Sequence, residues 1–296
     1  MPSQPERVLV LRERITDEIF FALGFTRTSL ARRALGPLFR RPATHFAGIA
    51  DRLETEVELG GLASGAHCIL PDFSTRVTTR NIERVPRTGP LLIISNHPGS
   101  YDSVAYAAVI PRPDLKMVVS DVPFSRALEN TSRYFIYVPA EEETLGRMAS
   151  LRQCVEHLRN GGAVLMFARG DVEPDPAFMP GAADTMALWS RSIEVMLRKV
   201  PQTCLQVAIA SGVLLPRYVH SPIVKLRKQP YHQQKLAETI QILTQMLNPD
   251  SMHIDVTISF DEAVSLAGLT PAQIMPEVVR RARSLLDEHV RELHIS

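Results

Sequence analysis

The sequence is short of several things that would narrow its function at once. Of 296 residues only three are cysteine, Cys68, Cys154 and Cys204, and no two stand in a CxxC spacing. An odd, scattered set excludes a disulfide framework and fits small core residues in a reducing cytoplasm. Charge of one sign is missing too: 33 Lys and Arg against 32 Asp and Glu leave a net +1. Bulk electrostatic attraction to nucleic acid is therefore not expected. Long hydrophobic runs are absent. LLII (91–94) and AVLMFA (163–168) fall far short of the roughly 18 apolar residues of a membrane span, and suit buried strands. The opening MPSQPERVLVLRERITDE carries acids and no long apolar core, so no secretory leader is expected. His45, His157, His220, His232 and His253 have no metal-ligand spacing, and there is no Gly-rich phosphate loop, GxSxG elbow, internal repeat or low-complexity tract. No metal and no cofactor are expected.

What is present has the period of an α/β protein. The chain is long enough for one large domain or two small ones with a sizeable core. Up to about Leu70 it reads as helical. Within that part IFFALGFTRTSLARRALGPLFRRPATHF (19–46) holds Arg27, Arg32, Arg33, Arg40 and Arg41 without one acid. Ile19, Phe20, Phe21, Leu23, Phe25, Leu30, Leu35, Leu38 and Phe39 supply its apolar bulk, and Gly36-Pro37 is expected to break the helix. Such a segment suits an interfacial helix on anionic lipid, or a helix packed on the domain with a solvated basic face. From Arg76 the pattern changes. Turn-rich VTTRNIERVPRTGP leads to strand LLIIS, and KMVVS, RYFIYVP, AVLMFA and CLQVAIA read as further strands. Helices are expected over 102–109, over 124–132, and over TLGRMASLRQCVEHLRNGG, which stops at Gly161-Gly162. Strands alternating with helices imply a mostly parallel sheet flanked by helices. MHIDVTISF (252–260) alternates with period two, and 271–293 is an amphipathic helix covering the sheet. The expected division is a helical N-terminal segment 1–75 that faces a membrane in the lipid reading, an α/β domain 76–262, and a C-terminal helical segment 263–296.

One stretch carries chemistry. In LLIISNHPGSYDSVAYAAV an apolar strand runs into His97, and Asp102 follows five residues later. In a continuous helix that offset leaves the side chains about 140° apart. In a strand it puts them on opposite faces, about 17 Å apart. A turn at Pro98-Gly99 instead lets the strand end at His97 and a helix begin near Ser100, which returns Asp102 to the imidazole. A carboxylate on one ring nitrogen fixes the tautomer and makes the other nitrogen a better base. Open α/β sheets bind ligands beyond the carboxyl ends of their strands, where this turn falls. The plainer alternative is that Asp102 caps the helix and His97 packs beside it.

The surrounding residues tilt the balance. GPLLIISNHPGSYD resembles the first motif of the glycerolipid acyltransferase superfamily, the glycerol-3-phosphate and lysophosphatidic acid acyltransferases: an apolar strand, Asn-His, four residues, Asp. RYFIYVP stands where the second motif falls. NGGAVLMFARGDVEPDP resembles the third, FMPGAADTMAL resembles the Phe-Lys-Pro-Gly-Ala stretch, and CLQVAIASG resembles the Val-Pro-Val-type strand. The likeness runs from about Pro86 to Glu262. It implies transfer of a fatty acyl group from a thioester, acyl-CoA or acyl carrier protein as co-substrate, to a hydroxyl of a lipid, glycerolipid or small alcohol acceptor. His97 would be the general base and Asp102 its orienting partner. Asn96, Ser100, Tyr101, Phe167, Arg169 and Gly170 would bind substrate. Backbone amides near Gly170 or at the start of the 102–109 helix would stabilise the oxyanion.

The pattern also departs from the family. Phe167 and Gly170 match, but Ala168 and Arg169 replace Pro and Glu, and Asp171 and Val172 replace Thr and Arg. The second motif lacks its arginine and runs into Glu141-Glu142-Glu143, which on its own reads as a solvated helix start. Either Arg169, with Arg133 or Arg217, binds phosphate from a new direction, or the acceptor carries none and the acids near 141–143 and Asp171 favour a neutral or amine-bearing molecule. Glu173 and Asp175, set between Pro174 and Pro176, read as a polar loop. The altered motifs keep two other functions in view: a non-catalytic acyl-chain or lipid-binding protein that retains the fold, and a thioester hydrolase using the same dyad on water. The expected setting is cytoplasmic, with peripheral attachment to the inner face of the membrane in the lipid-facing reading.

Overall fold

The computed structural model describes residues 4–22, 30–139, 143–248 and 252–293. In chain order its helices and strands are α1 (Gln4–Ala22), α2 (Leu30–Ile69), β1 (Arg76–Arg80), β2 (Leu91–Ser95), α3 (Asp102–Val109), β3 (Leu115–Ser120), α4 (Pro123–Arg126), β4 (Phe135–Val138), α5 (Thr144–Arg159) and β5 (Ala163–Phe167). They continue with α6 (Ala182–Thr185), α7 (Ser192–Lys199), β6 (Cys204–Ser211), α8 (Pro216–Val219), α9 (Pro230–Leu247), β7 (Asp255–Phe260), β8 (Val264–Ser265) and α10 (Pro271–Leu293). Two compact units divide them, and the division is not linear in sequence. The helical unit is Met1–Thr75, Val122–Arg133 and Leu214–Ile254; the α/β unit is Arg76–Asp121, Tyr134–Val213 and Asp255–Ser296.

In the α/β unit the strands lie in the order β1-β7-β6-β2-β5-β3-β4, with β8 beside β6. Pairing is parallel except at β6–β7 and β6–β8. The centre follows from sequence. LLIIS is buried throughout, and AVLMF and CLQVAIAS nearly so, because a parallel sheet covered on both faces needs continuous apolar strands. Register sets Ser95 opposite both Phe167 and Ala208, so β2 and β5 end level, side by side. Arg76–Arg80 belongs to the stretch expected to be turn-rich, yet it forms strand β1, parallel to β7. Its Val-Thr-Thr centre has β propensity, but an exposed edge strand has no apolar run to announce it.

The C-terminal helix α10 places Ile274, Val278, Ala282, Leu285 and Leu286 in the same core as Leu92, Val164 and Val207. A polar latch completes the seam. His289 is fully buried, with Nε2 2.7 Å from Ser211 Oγ and Nδ1 2.7 Å from Ser259 Oγ. Burial, with the nearby Arg80 charge, pushes the imidazole pKa down from 6.5 to about 4. Arg80 donates to the carbonyls of His289 and Glu292 and pairs with the Glu292 carboxylate at 3.0 Å.

In the helical unit α1 packs along α2, joining Leu11, Ile15 and Ile19 to Ala43, Ala47, Ala50 and Leu128. The helix break expected at Gly36-Pro37 does not occur. Helix α2 runs through Pro37 and Pro42 and departs from helical geometry at Gly61 instead, with φ +82° and ψ −179°. Proline removes one intrahelical donor and leaves the neighbouring turns intact, whereas this backbone conformation is essentially open to glycine alone. The helix expected over 124–132 is a single turn, α4, followed by a 3-10 turn Thr131–Tyr134. Buried Glu54 accounts for the second: its carboxylate accepts from the amides of Asn130 and Thr131 at 2.7 and 2.9 Å and from the Thr131 hydroxyl at 2.5 Å. That cap holds 130–131 in place of a continuing helix. Among the described residues no helix is long and apolar enough to cross a membrane. Ile19 and Phe20 are buried in the packing of this unit, and Phe20 meets Phe39 edge-on at 5.4 Å.

Candidate active site

The turn after β2 closes as its residues require. Pro98 and Gly99 are buried, the Asp102 amide donates to the Gly99 carbonyl at 3.2 Å, and α3 starts at Asp102. The chain thereby doubles back and sets Asp102 Oδ2 2.8 Å from His97 Nδ1. Asp102 is completely buried, whereas the His97 side chain keeps 20% of its surface exposed. A carboxylate in the first turn of a helix sits where the backbone dipole favours negative charge. One strand over, Phe167 stacks on the imidazole, ring centres 4.1 Å apart and planes 22° off parallel. Two fixed neighbours, an acid at Nδ1 and an aromatic face, define the ring's orientation.

Below the pair lies a buried polar floor that sequence reasoning missed. Tyr106, one helical turn after Asp102, bonds Ser95 Oγ through its hydroxyl at 2.5 Å. Burial holds the Tyr106 phenol well above its ordinary range; the Ser95 bond lowers it and the Asp102 charge raises it again. The i, i+4 spacing of Asp102 and Tyr106 was the available signal.

The other expected site residues fall in different places. Asn96 is buried and faces β6, where Nδ2 donates to the Ala210 carbonyl at 2.9 Å and Oδ1 accepts from the Ala210 amide at 2.8 Å. This double bond to one peptide ties β2 to β6. Tyr101 is buried at the start of α3, and Ser100 is exposed, its carbonyl accepting from the Ser103 hydroxyl at 2.7 Å. The Gly170 amide donates to the Phe167 carbonyl at 2.9 Å, closing the turn after β5. Arg169 bends over the same turn and donates to the Val172 carbonyl at 3.2 Å. Arg133 and Arg217 belong to the helical unit. Of the acidic run, Glu141 and Glu142 lie outside the described residues; Glu143 immediately precedes α5.

Glu173 and Asp175 do not form the polar loop that their prolines suggest. Both are buried. Asp175 accepts from the amides of Gly212 and Val213 at 3.0 and 2.9 Å, clamping the chain just beyond β6. The Glu173 amide donates to the His97 carbonyl at 2.7 Å, and its Oε1 accepts from Trp189 Nε1 at 3.0 Å. Burial raises the Glu173 carboxyl pKa; bonds from Trp189 and Thr185 and the charges of Arg169 and His97 oppose the rise. The Glu173 carboxyl, four residues after Arg169, thus feels the charges of both Arg169 and His97. Prolines rigidify this loop inward, which a local reading cannot distinguish from a solvated turn.

Comparison with known proteins places this arrangement. Residues 76–199, a stretch that includes the His97–Asp102 turn, match the family model described as Acyltransferase. Among solved structures, the chain is similar to the 1-acyl-sn-glycerophosphate (LPA) acyltransferase PlsC from Thermotoga maritima, at 13% identity and a TM-score of 0.47, over 96% of this chain and 95% of that one. No curated protein matches.

Proposed function

We propose that this protein is an acyltransferase that moves a fatty acyl group from an acyl thioester, on coenzyme A or acyl carrier protein, to a hydroxyl of a lipid or glycerolipid acceptor, with His97 as general base. The observation that carries the reading is the 2.8 Å contact of His97 Nδ1 with wholly buried Asp102, on a ring that stays partly exposed. With Nδ1–H directed at the carboxylate, Nε2 is the atom that takes a proton. The acceptor hydroxyl gives its proton to Nε2 as its oxygen bonds to the thioester carbonyl carbon. The tetrahedral oxyanion then collapses, the C–S bond breaks, and the imidazolium returns the proton to the leaving thiolate. No acyl-enzyme forms. Asp102 stabilises the transient imidazolium, and Phe167 stacked on the ring limits its rotation.

The test is label transfer. Purified protein, a labelled acyl thioester and a lipid extract are incubated, and mass spectrometry identifies which species gains label. His97→Ala should fold and lose transfer by about 10²- to 10⁴-fold. Undiminished transfer in that variant ends the proposal. Release of free fatty acid at a rate that added acceptor does not change favours hydrolysis over transfer, and bound acyl chains without turnover favour a carrier.

A further inference from the structure

The helical unit carries a basic surface with exposed apolar tips. From Pro216 to Ala237 the chain holds five cations, Arg217, Lys225, Arg227, Lys228 and Lys235, and no acid. All five are exposed. Among them Val224 is turned inward and completely buried, at the start of a 3-10 turn Val224–Leu226. That anchor holds its neighbours outward: Ile223 is 59% exposed and Leu226 80%. The turn is ordered by bonds from the Val224 amide to the Ser221 carbonyl and from the Arg227 amide to the Val224 carbonyl, at 3.1 and 3.0 Å. Gln233 Nε2 fastens the Arg227 carbonyl to α9 at 2.6 Å. Alongside opens a cavity of about 400 Å³ lined by Arg217, Tyr218, Ser221, Ile240, Thr244 and Asn248.

Two branched aliphatic tips held in water among cations call for a partner with both phosphates and hydrocarbon. Nucleic acid has no apolar phase for Ile223 and Leu226. An anionic bilayer offers phosphates at the level of the lysines and arginines, and acyl chains one side-chain length deeper. Among the described side chains of the basic 19–46 stretch, Ile19 and Phe20 are buried, and Leu38 is exposed beside exposed Arg40 and Arg41. We propose that residues 216–228 dock the protein on an anionic phospholipid surface. Ile223 and Leu226 enter the interface, Lys225, Arg227 and Lys228 pair with lipid phosphates, and the Arg217 cavity receives a headgroup. The inference is independent of the acyl-transfer reading, because docking is measured without turnover.

The experiment is sedimentation of the full chain with phosphatidylcholine vesicles, with and without phosphatidylglycerol, at low and high salt. Wild type should bind the anionic vesicles at least about tenfold more tightly, and salt should erode the difference. R227E/K228E should lower that affinity by about tenfold or more, and I223S/L226S should remove the binding that survives high salt. Both variants alter exposed side chains, and circular dichroism checks that they fold. R40E/R41E should have the smaller effect. Equal binding to both vesicle types, no binding, or a larger loss from R40E/R41E than from R227E/K228E overturns the assignment. So does an R227E/K228E protein that binds vesicles normally but no longer binds an acidic carrier protein, which would make this a protein-docking face.

Discussion

Two of the histidines in the α/β unit, His97 and His289, have opposite surroundings. His97 faces a carboxylate, is stacked on an aromatic ring, and keeps a fifth of its surface exposed. His289 faces two serine hydroxyls and is sealed from solvent. Neutral imidazole can donate to one hydroxyl and accept from the other, so His289 satisfies two buried serines without carrying charge, and both its nitrogens are engaged by the fold. A carboxylate neighbour does the reverse, favouring the protonated ring. The same side chain is thereby a strut in one place and equipped as a base in the other, and the partner, together with access, decides which.

The sharpest way to break this contrast is Asp102→Asn. It leaves His97 near its position but removes the charge, and we expect turnover to fall by about 10³-fold with the cooperative melt retained. Steady-state kinetics alongside thermal unfolding checks this; a normal rate would mean that the acid only caps α3. Next in size is the acid response of the strut. The fold keeps His289 neutral down to about pH 4, while the unfolded chain protonates near 6.5. Proton uptake therefore drives unfolding as pH falls: this contribution is whole above about 6.5, and on the order of 3 kcal/mol is lost on passing through about 4. Urea titrations across that window should show the loss, and a His289→Gln protein should show a shallower slope. Smallest is Ser259→Ala, which leaves one imidazole nitrogen without that hydroxyl and should cost about 1 kcal/mol with turnover per folded molecule unchanged.

How far these features could be read from sequence depends on whether the signal is local. Strands β2, β5 and β6 were legible because continuous apolar runs have no other use in a covered parallel sheet. Helix α10 was legible because its apolar period persists across its whole length. The His97–Asp102 turn was legible because proline and glycine restrict the chain in a way that geometry can follow. β1 escaped because an edge strand that alternates exposed and half-buried residues has no fully buried face. Glu173 and Asp175 were misjudged because their burial depends on Trp189 and the 212–213 backbone, partners distant in sequence. Pro37 misled for a related reason: a helix already committed to packing absorbs one lost donor.

The indole that bonds Glu173 has a practical consequence. Trp189 is the chain's single tryptophan, it is buried, and the residue it bonds donates its own amide to the carbonyl of His97. Tryptophan emission from this protein therefore originates at one spot, two hydrogen bonds from the backbone carbonyl of His97. With excitation at the red edge, where the six tyrosines do not absorb, fluorescence can follow that loop in real time with no label attached.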